Sequence, residues 1–221
     1  MGKNLTLIHT THVVVPVFAA LCQRYLPGVR VTQVLDEGLL QSMIAAGRLE
    51  KAVVRRLIRL AQSASETGAD AVMVTCSSIG QAADLAADLV DCPVIRADRA
   101  MAEKAVAAGS RIGVAATLGT TLDPTMELLR QTAAKENRIV QVIAGLCPGA
   151  FDAVTGGDSA AHDAIVREKI TELSKVVDVV VLAQPSMARV VETIPEAELS
   201  KPVLSSPTLA IQHAAEFLRG L

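Results

Sequence analysis

Ala69-Asp70-Ala71-Val72-Met73-Val74-Thr75-Cys76 and Val177-Asp178-Val179-Val180-Val181-Leu182-Ala183-Gln184 are one phrase written twice, 108 residues apart. Each copy has an aspartate, an unbroken apolar run and a polar residue at its end. Such a run, without polar alternation, reads as a parallel strand buried on both faces. Working outward, Leu7-Ile8-His9 matches Ala115-Ala116-Thr117 at the same offset, and Pro93-Val94-Ile95 matches Pro202-Val203-Leu204 at 109. The chain is therefore a duplicated α/β unit. Its equivalent strand ends are expected to oppose each other across a cleft. There the repeat changes one letter, a thiol in one copy and an amide in the other.

The intervening sequence alternates strands with helices. In the first half, strands are expected at 5–8, 29–35, 69–74 and 94–95. Helices are expected at 13–25, along one long stretch that follows Gly38 and runs through 49–65, at 81–89 and at 101–108. In the second half, strands fall at 112–116, 139–143, 177–183 and 203–204, and helices at 123–136, 160–175, near 187–193 and at 208–218. The Gly-rich stretch from Gly145 to Asp158 reads as a loop. This alternation implies right-handed βαβ units and two parallel sheets, with ligands bound beyond the carboxyl ends of the strands.

Apolar residues make up 51% of the 221 residues but aromatics only 2%, so the core is built from Ala, Val, Leu and Ile. A net charge of −2 with no Lys/Arg run gives no pull toward nucleic acid or an anionic membrane. The longest apolar runs are too short to span a bilayer. No signal-peptide pattern precedes the first strand, and the expectation is a cytoplasmic protein. Cys22, Cys76, Cys92 and Cys147 form no C-x-x-C pair, and four scattered histidines suggest no zinc site.

The chemistry-bearing residues stand at the strand ends. His9-Thr10-Thr11-His12 follows the first strand and Thr75-Cys76-Ser77-Ser78 the third. In the second half the corresponding segments are Thr117-Leu118-Gly119-Thr120-Thr121 and Gln184-Pro185-Ser186. Hydroxyls and backbone N–H groups at strand-to-helix turns suit an anion. Each serine alone also suits an N-cap, but four such turns together suit a small carboxylate. The helix start after Cys76 should lower its thiol pKa and make it a base at neutral pH. His9, on an adjacent strand end, is expected to hold that thiol ionised or to shuttle a proton. Cys22 and Cys92 read as structural, Cys147 is open, and His162 and Asp163 read as capping and solvating a helix. Asp36 and Glu37 close the second strand.

These motifs resemble the aspartate/glutamate racemase superfamily, which includes hydantoin racemases, maleate isomerases and arylmalonate decarboxylases. Thr75-Cys76-Ser77-Ser78 stands where the family has its first catalytic cysteine, Ala116-Thr117-Leu118-Gly119-Thr120 where it has a carboxylate-binding turn, and Asp36-Glu37-Gly38-Leu39-Leu40 looks like its second-strand end. The resemblance covers the whole chain. It implies no pyridoxal phosphate, no metal and no other cofactor, and a thiol on each side of the substrate's α-carbon. This sequence departs from the pattern at the second thiol, where it reads Gln184-Pro185-Ser186.

The expected architecture is two flavodoxin-like subdomains related by a pseudo-two-fold axis. The first is 1–97 with 207–221, since the resemblance implies that the last helix returns to it; the second is 98–206. A homodimer or higher homo-oligomer is expected. The leading function is proton transfer at a carbon next to a carboxylate of a small acid. Cys76 is the acid/base and His9 tunes it. Thr10, Thr11, Ser77, Ser78, Thr117, Thr120, Thr121, Gln184 and Ser186 bind substrate. The alternatives are a single-thiol decarboxylase of a malonate-like acid, and a non-catalytic acid-binding module, which a thiol labelling no faster than free cysteine would favour.

Overall fold

The structure, a computed structural model, describes residues 2–195 and 199–221. Two compact units divide the chain: residues up to Asp98 together with Pro207–Leu221, and Arg99–Ser206.

In the first unit, β1 (Asn4–His9), β2 (Arg30–Leu35), β3 (Ala71–Val74) and β4 (Val94–Arg96) form a parallel sheet in the order β2-β1-β3-β4. β3 is buried throughout because both faces of the sheet are covered. Leu5, Leu7, Ala71 and Met73 pack on one face with Phe18 of α1 (Val15–Tyr25) and Ile211, Ala214 and Leu218 of α10 (Ser206–Gly220). Ile8, Val72 and Val74 pack on the other, against α2 (Glu37–Ala46), α3 (Lys51–Glu66) and α4 (Gly80–Ala87). The final helix thus packs within the first unit.

The second unit repeats the plan. β5 (Arg111–Ala116), β6 (Gln141–Leu146), β7 (Val179–Leu182) and β8 (Val203–Ser205) are parallel in the order β6-β5-β7-β8. Its helices are α5 (Arg99–Ala108), α6 (Gly119–Lys135), α7 (Ala150–Thr155), α8 (Ser159–Ser174) and α9 (Ala188–Thr193). The repeated aspartate has the same duty in both units. Asp70 Oδ2 accepts from Asn4 N at 2.7 Å, and Asp178 Oδ2 accepts from Arg111 N at 2.8 Å. Each satisfies the first N–H of the neighbouring strand, a donor the ladder leaves open.

Three local expectations need correction. The long helical stretch is broken at Gly47, whose φ of 65° closes α2 as a left-handed cap. The Gly-rich segment is not one loop: Gly145 lies in β6, and Ala150–Thr155 is a helix. α6 starts at Gly119 rather than at the expected 123 and carries Pro124 inside its first turns. Among the described residues no helix is long and apolar enough to cross a membrane.

Candidate functional site

In each sheet the chain order reverses beside the first strand, between β1 and β3 and between β5 and β7. Such switch points are where open parallel sheets bind ligands, beyond the carboxyl ends of the strands. Thr10 and Cys76 follow the two strands at the first switch point, and Thr117 and Gln184 the corresponding strands at the second.

Register decides which of these side chains meet. Ile8 pairs with Val74 on adjacent strands, so continuing the ladder places His9 beside Thr75 and Thr10 beside Cys76. The side chains follow suit. His9 Nδ1 lies 2.8 Å from Thr75 Oγ1, and its Nε2 3.2 Å from Gln33 Oε1. Its ring packs on Phe18, on the α1/α10 face. Cys76 packs with the cluster on the opposite face, and its thiol is hydrogen-bonded to the Thr10 side chain instead. The expected His9–Cys76 contact is therefore corrected to Thr10–Cys76. His9 reaches the thiol's segment only through Thr75.

The electrostatics change with it. His9 is fully buried, and burial pushes its pKa down to about 4 against the opposing pull of Gln33. A neutral imidazole cannot hold a thiolate in place. Burial likewise pushes the Cys76 thiol up. The Thr10 side chain, the N–H groups of Ile79 and Ser78, and the Ser78 side chain pull it down without reversing the shift. The helix start after Cys76 does contribute donors, but desolvation outweighs them, so the resting thiol is protonated at neutral pH. Cys76 is half-buried, whereas Cys22, Cys92 and Cys147 are buried.

The second unit's turn is built the same way. Gln184 Oε1 accepts from Thr117 N at 2.9 Å, and Gln184 Nε2 donates to Thr117 Oγ1 at 2.7 Å and to Thr121 Oγ1 at 3.4 Å. The strand ladders equate Ile8 with Ala115. The true counterpart of Thr117 is thus Thr10, and His9 answers to Ala116. In both units the residue directly after the first strand is a threonine bonded to the second residue after the third: Thr10 to Cys76, Thr117 to Gln184. Thr120 Oγ1 is buried with no hydrogen-bond partner, at the uncapped start of α6. It is a free donor and acceptor beside open N–H groups.

Other candidates have local duties. Thr11 caps the short 3-10 turn that precedes α1 by accepting from Val13 N. Ser77 and Ser78 are buried in the 3-10 turn after Cys76, and half-buried Ser186 lies in its counterpart, Pro185–Met187. Asp36 caps α2 and pairs with Arg56 at 2.6 Å, while Glu37 pairs with exposed His12 at 2.8 Å. Cys147 is fully buried at the end of β6, and burial pushes its pKa up to about 11. His162 is not solvated: it is fully buried, with Nδ1 2.7 Å from Asp163 Oδ1, while Asp158 caps α8. Among the described residues no three His, Cys, Asp or Glu side chains gather as a metal site would require.

Residues 5–214 match the sequence profile of the Asp/Glu/Hydantoin racemase family. Among solved structures, the chain is similar to glutamate racemase from Francisella tularensis subsp. tularensis SCHU S4 in complex with D-glutamate. That match has a TM-score of 0.76 at 16% identity, over 99% of this chain and 82% of the other. Allantoin racemase from Klebsiella pneumoniae gives 0.72 at 19% identity, over 99% and 88%. Arylmalonate decarboxylase gives 0.61 at 16% identity, over 99% and 93%. At such identities the likeness is one of fold. A search of curated protein sequences finds no significant match.

Proposed function

Because this chain belongs to the Asp/Glu/Hydantoin racemase family, we propose that it is a cofactor-independent enzyme that moves a proton at the carbon next to a carboxylate, with Cys76 as its acid/base. One observation carries the reading. Of the two equivalent strand ends, one presents a half-buried thiol held by Thr10, Ser78 and the Ile79 N–H, and the other an amide already bound to Thr117 and Thr121. Carboxamides do not titrate as acids or bases in this pH range, so proton traffic falls to the Cys76 side alone.

Thr120, with its unpartnered hydroxyl, Thr121, Ser186 and the N–H groups opening α6 are proposed to bind the carboxylate. Thr11, Ser77 and Ser78 are proposed as the substrate-binding residues of the first unit. Gln184 fixes Thr117 in place. His9 supports the turn through Thr75. The scarcity of aromatic residues favours a small aliphatic acid over an aryl one.

A second reading has its own support. A thiol protonated at rest is ready to donate. Loss of CO₂ from a malonate-like acid leaves an enolate that needs one proton on one face, so a single-thiol decarboxylase fits the same geometry.

The test is exchange in D₂O with aspartate, glutamate, malate and 5-substituted hydantoins as separate enantiomers, and with substituted malonates. The expected result is deuterium incorporated into one enantiomer with retention, faster than inversion, or a single enantiomer of a decarboxylated product. Cys76→Ala should abolish either. Racemisation of both enantiomers at similar rates would show a second base and overturn the one-sided reading. Slow alkylation of Cys76 does not by itself favour a mere binding module, because desolvation already slows it.

A further inference from the structure

Arg96 ends β4 with its side chain only 4% exposed, far from the usual surroundings of an arginine. Its Nε and Nη2 meet Asp98 Oδ1 and Oδ2 at 2.9 Å each, a two-pronged pair, and Nη1 meets Asp84 Oδ2 of α4 at 2.5 Å. Burial alone would depress the guanidinium's pKa; the two carboxylates overcome this and hold it charged. Tied at three nitrogens, the group lies flat against Gly80. A Cβ on that glycine would stand 2.2 Å from Arg96 Nη2 and 2.4 Å from its Cζ.

Gly80 opens α4, directly after the 3-10 turn Ser77–Ile79, and its N–H donates to Ser77 O. In that turn the Ile79 N–H donates to Cys76 O at 3.3 Å, and the Ser78 and Ile79 N–H groups also favour the ionised Cys76 thiol. An unbroken chain of contacts thus runs from Arg96 through Gly80 to the donors on the thiol.

The duplicated unit supplies an internal control. Val74 pairs with Arg96, and its repeat Leu182 pairs with Ser205. Gly80 opens α4 with φ −57° and ψ −40°, and Ala188 opens α9 with the same angles. The backbone at this position therefore does not itself require glycine. Where the strand end carries an amide, the pair is Ala188 with Ser205; where it carries the thiol, it is Gly80 with a buried arginine. The unit with the thiol bears the cost of burying a charge network that its twin does without.

We propose that Arg96 is a positioning residue for the Cys76 turn: by packing on Gly80 and tying α4 to the end of β4, it aims the Ser78 and Ile79 N–H groups at the thiol. This rests on the reading of Cys76 as the acid/base. Misaimed donors stabilise the thiolate less, so loosening the contact should raise the apparent pKa of the thiol.

The experiment is the pH dependence of iodoacetamide alkylation of Cys76, followed site by site by mass spectrometry from pH 6 to 10.5, with circular dichroism as the check on folding. Gly80→Ala keeps every charge and improves helix propensity, yet forces the guanidinium and α4 apart. Arg96→Lys keeps the charge but loses the fork. Ala188→Gly is the control in the second unit. The expected result is an upward shift of about half to one pH unit in the first two variants, a loss of roughly three- to tenfold in labelling rate at pH 8, and no shift in the control. Wild-type titration in folded Gly80→Ala overturns the proposal, as does an equal shift in Ala188→Gly. Proton exchange that survives in Cys76→Ala defeats the underlying reading instead, whatever the alkylation profiles show.

Discussion

Acidification should unmask His9. Its folded pKa of about 4 lies about 2.5 units below the ordinary 6.5. Between those values the unfolded chain binds a proton at His9 that the folded chain refuses. Stability from this residue is therefore complete above pH 6.5 and is lost as the pH falls toward 4. At about 1.4 kcal/mol per unit, the gap amounts to about 3.5 kcal/mol. No solvent discount applies, since His9 is fully buried. The assay is urea unfolding at pH 7.5, 6.0, 5.0 and 4.5 for the wild type and His9→Gln. The variant removes the titration but leaves every carboxylate, including Glu37 and Asp178, whose pKa values are lowered by their partners. Subtracting the two curves isolates His9: the wild type should lose about 2.5 kcal/mol more than the variant between about pH 7.5 and 4.5, the remainder falling below about pH 4.5. Parallel curves, or an imidazole NMR titration of His9 centred near 6.5, would refute the argument.

Cys76 should be the first cysteine alkylated in the native protein, being half-buried while the others are buried, with Cys22 and Cys147 last because burial holds both near 11. Site-resolved mass spectrometry checks the order, and early labelling of Cys147 would contradict it. Gln184→Ala should leave the buried Thr117 N–H without its acceptor and lower stability by about 1–3 kcal/mol; denaturant midpoints matching the wild type would show that water replaces the amide at no cost.

The amino-acid sequence by itself determined the duplication, the parallel strands and the turns that carry Cys76 and Gln184. Runs such as Val72–Val74 and Val179–Leu182 can be satisfied only inside a sheet covered on both faces. It could not determine the phase of the first strands. Leu7-Ile8-His9 and Ala115-Ala116-Thr117 match well at an offset of 108, yet the ladders align Ile8 with Ala115. With both faces buried, no polar alternation marks which residue points where, and one step of register turns every side chain to the other face. That step gave the thiol Thr10 for a neighbour and sent His9 toward Phe18. The protonation of the site was decided in three dimensions for the same kind of reason. A turn before a helix is visible in sequence, and it argues for a lowered thiol pKa. Desolvation depends on everything packed around the sulfur, from α2, α3 and α4 alike, and only the folded chain brings those together.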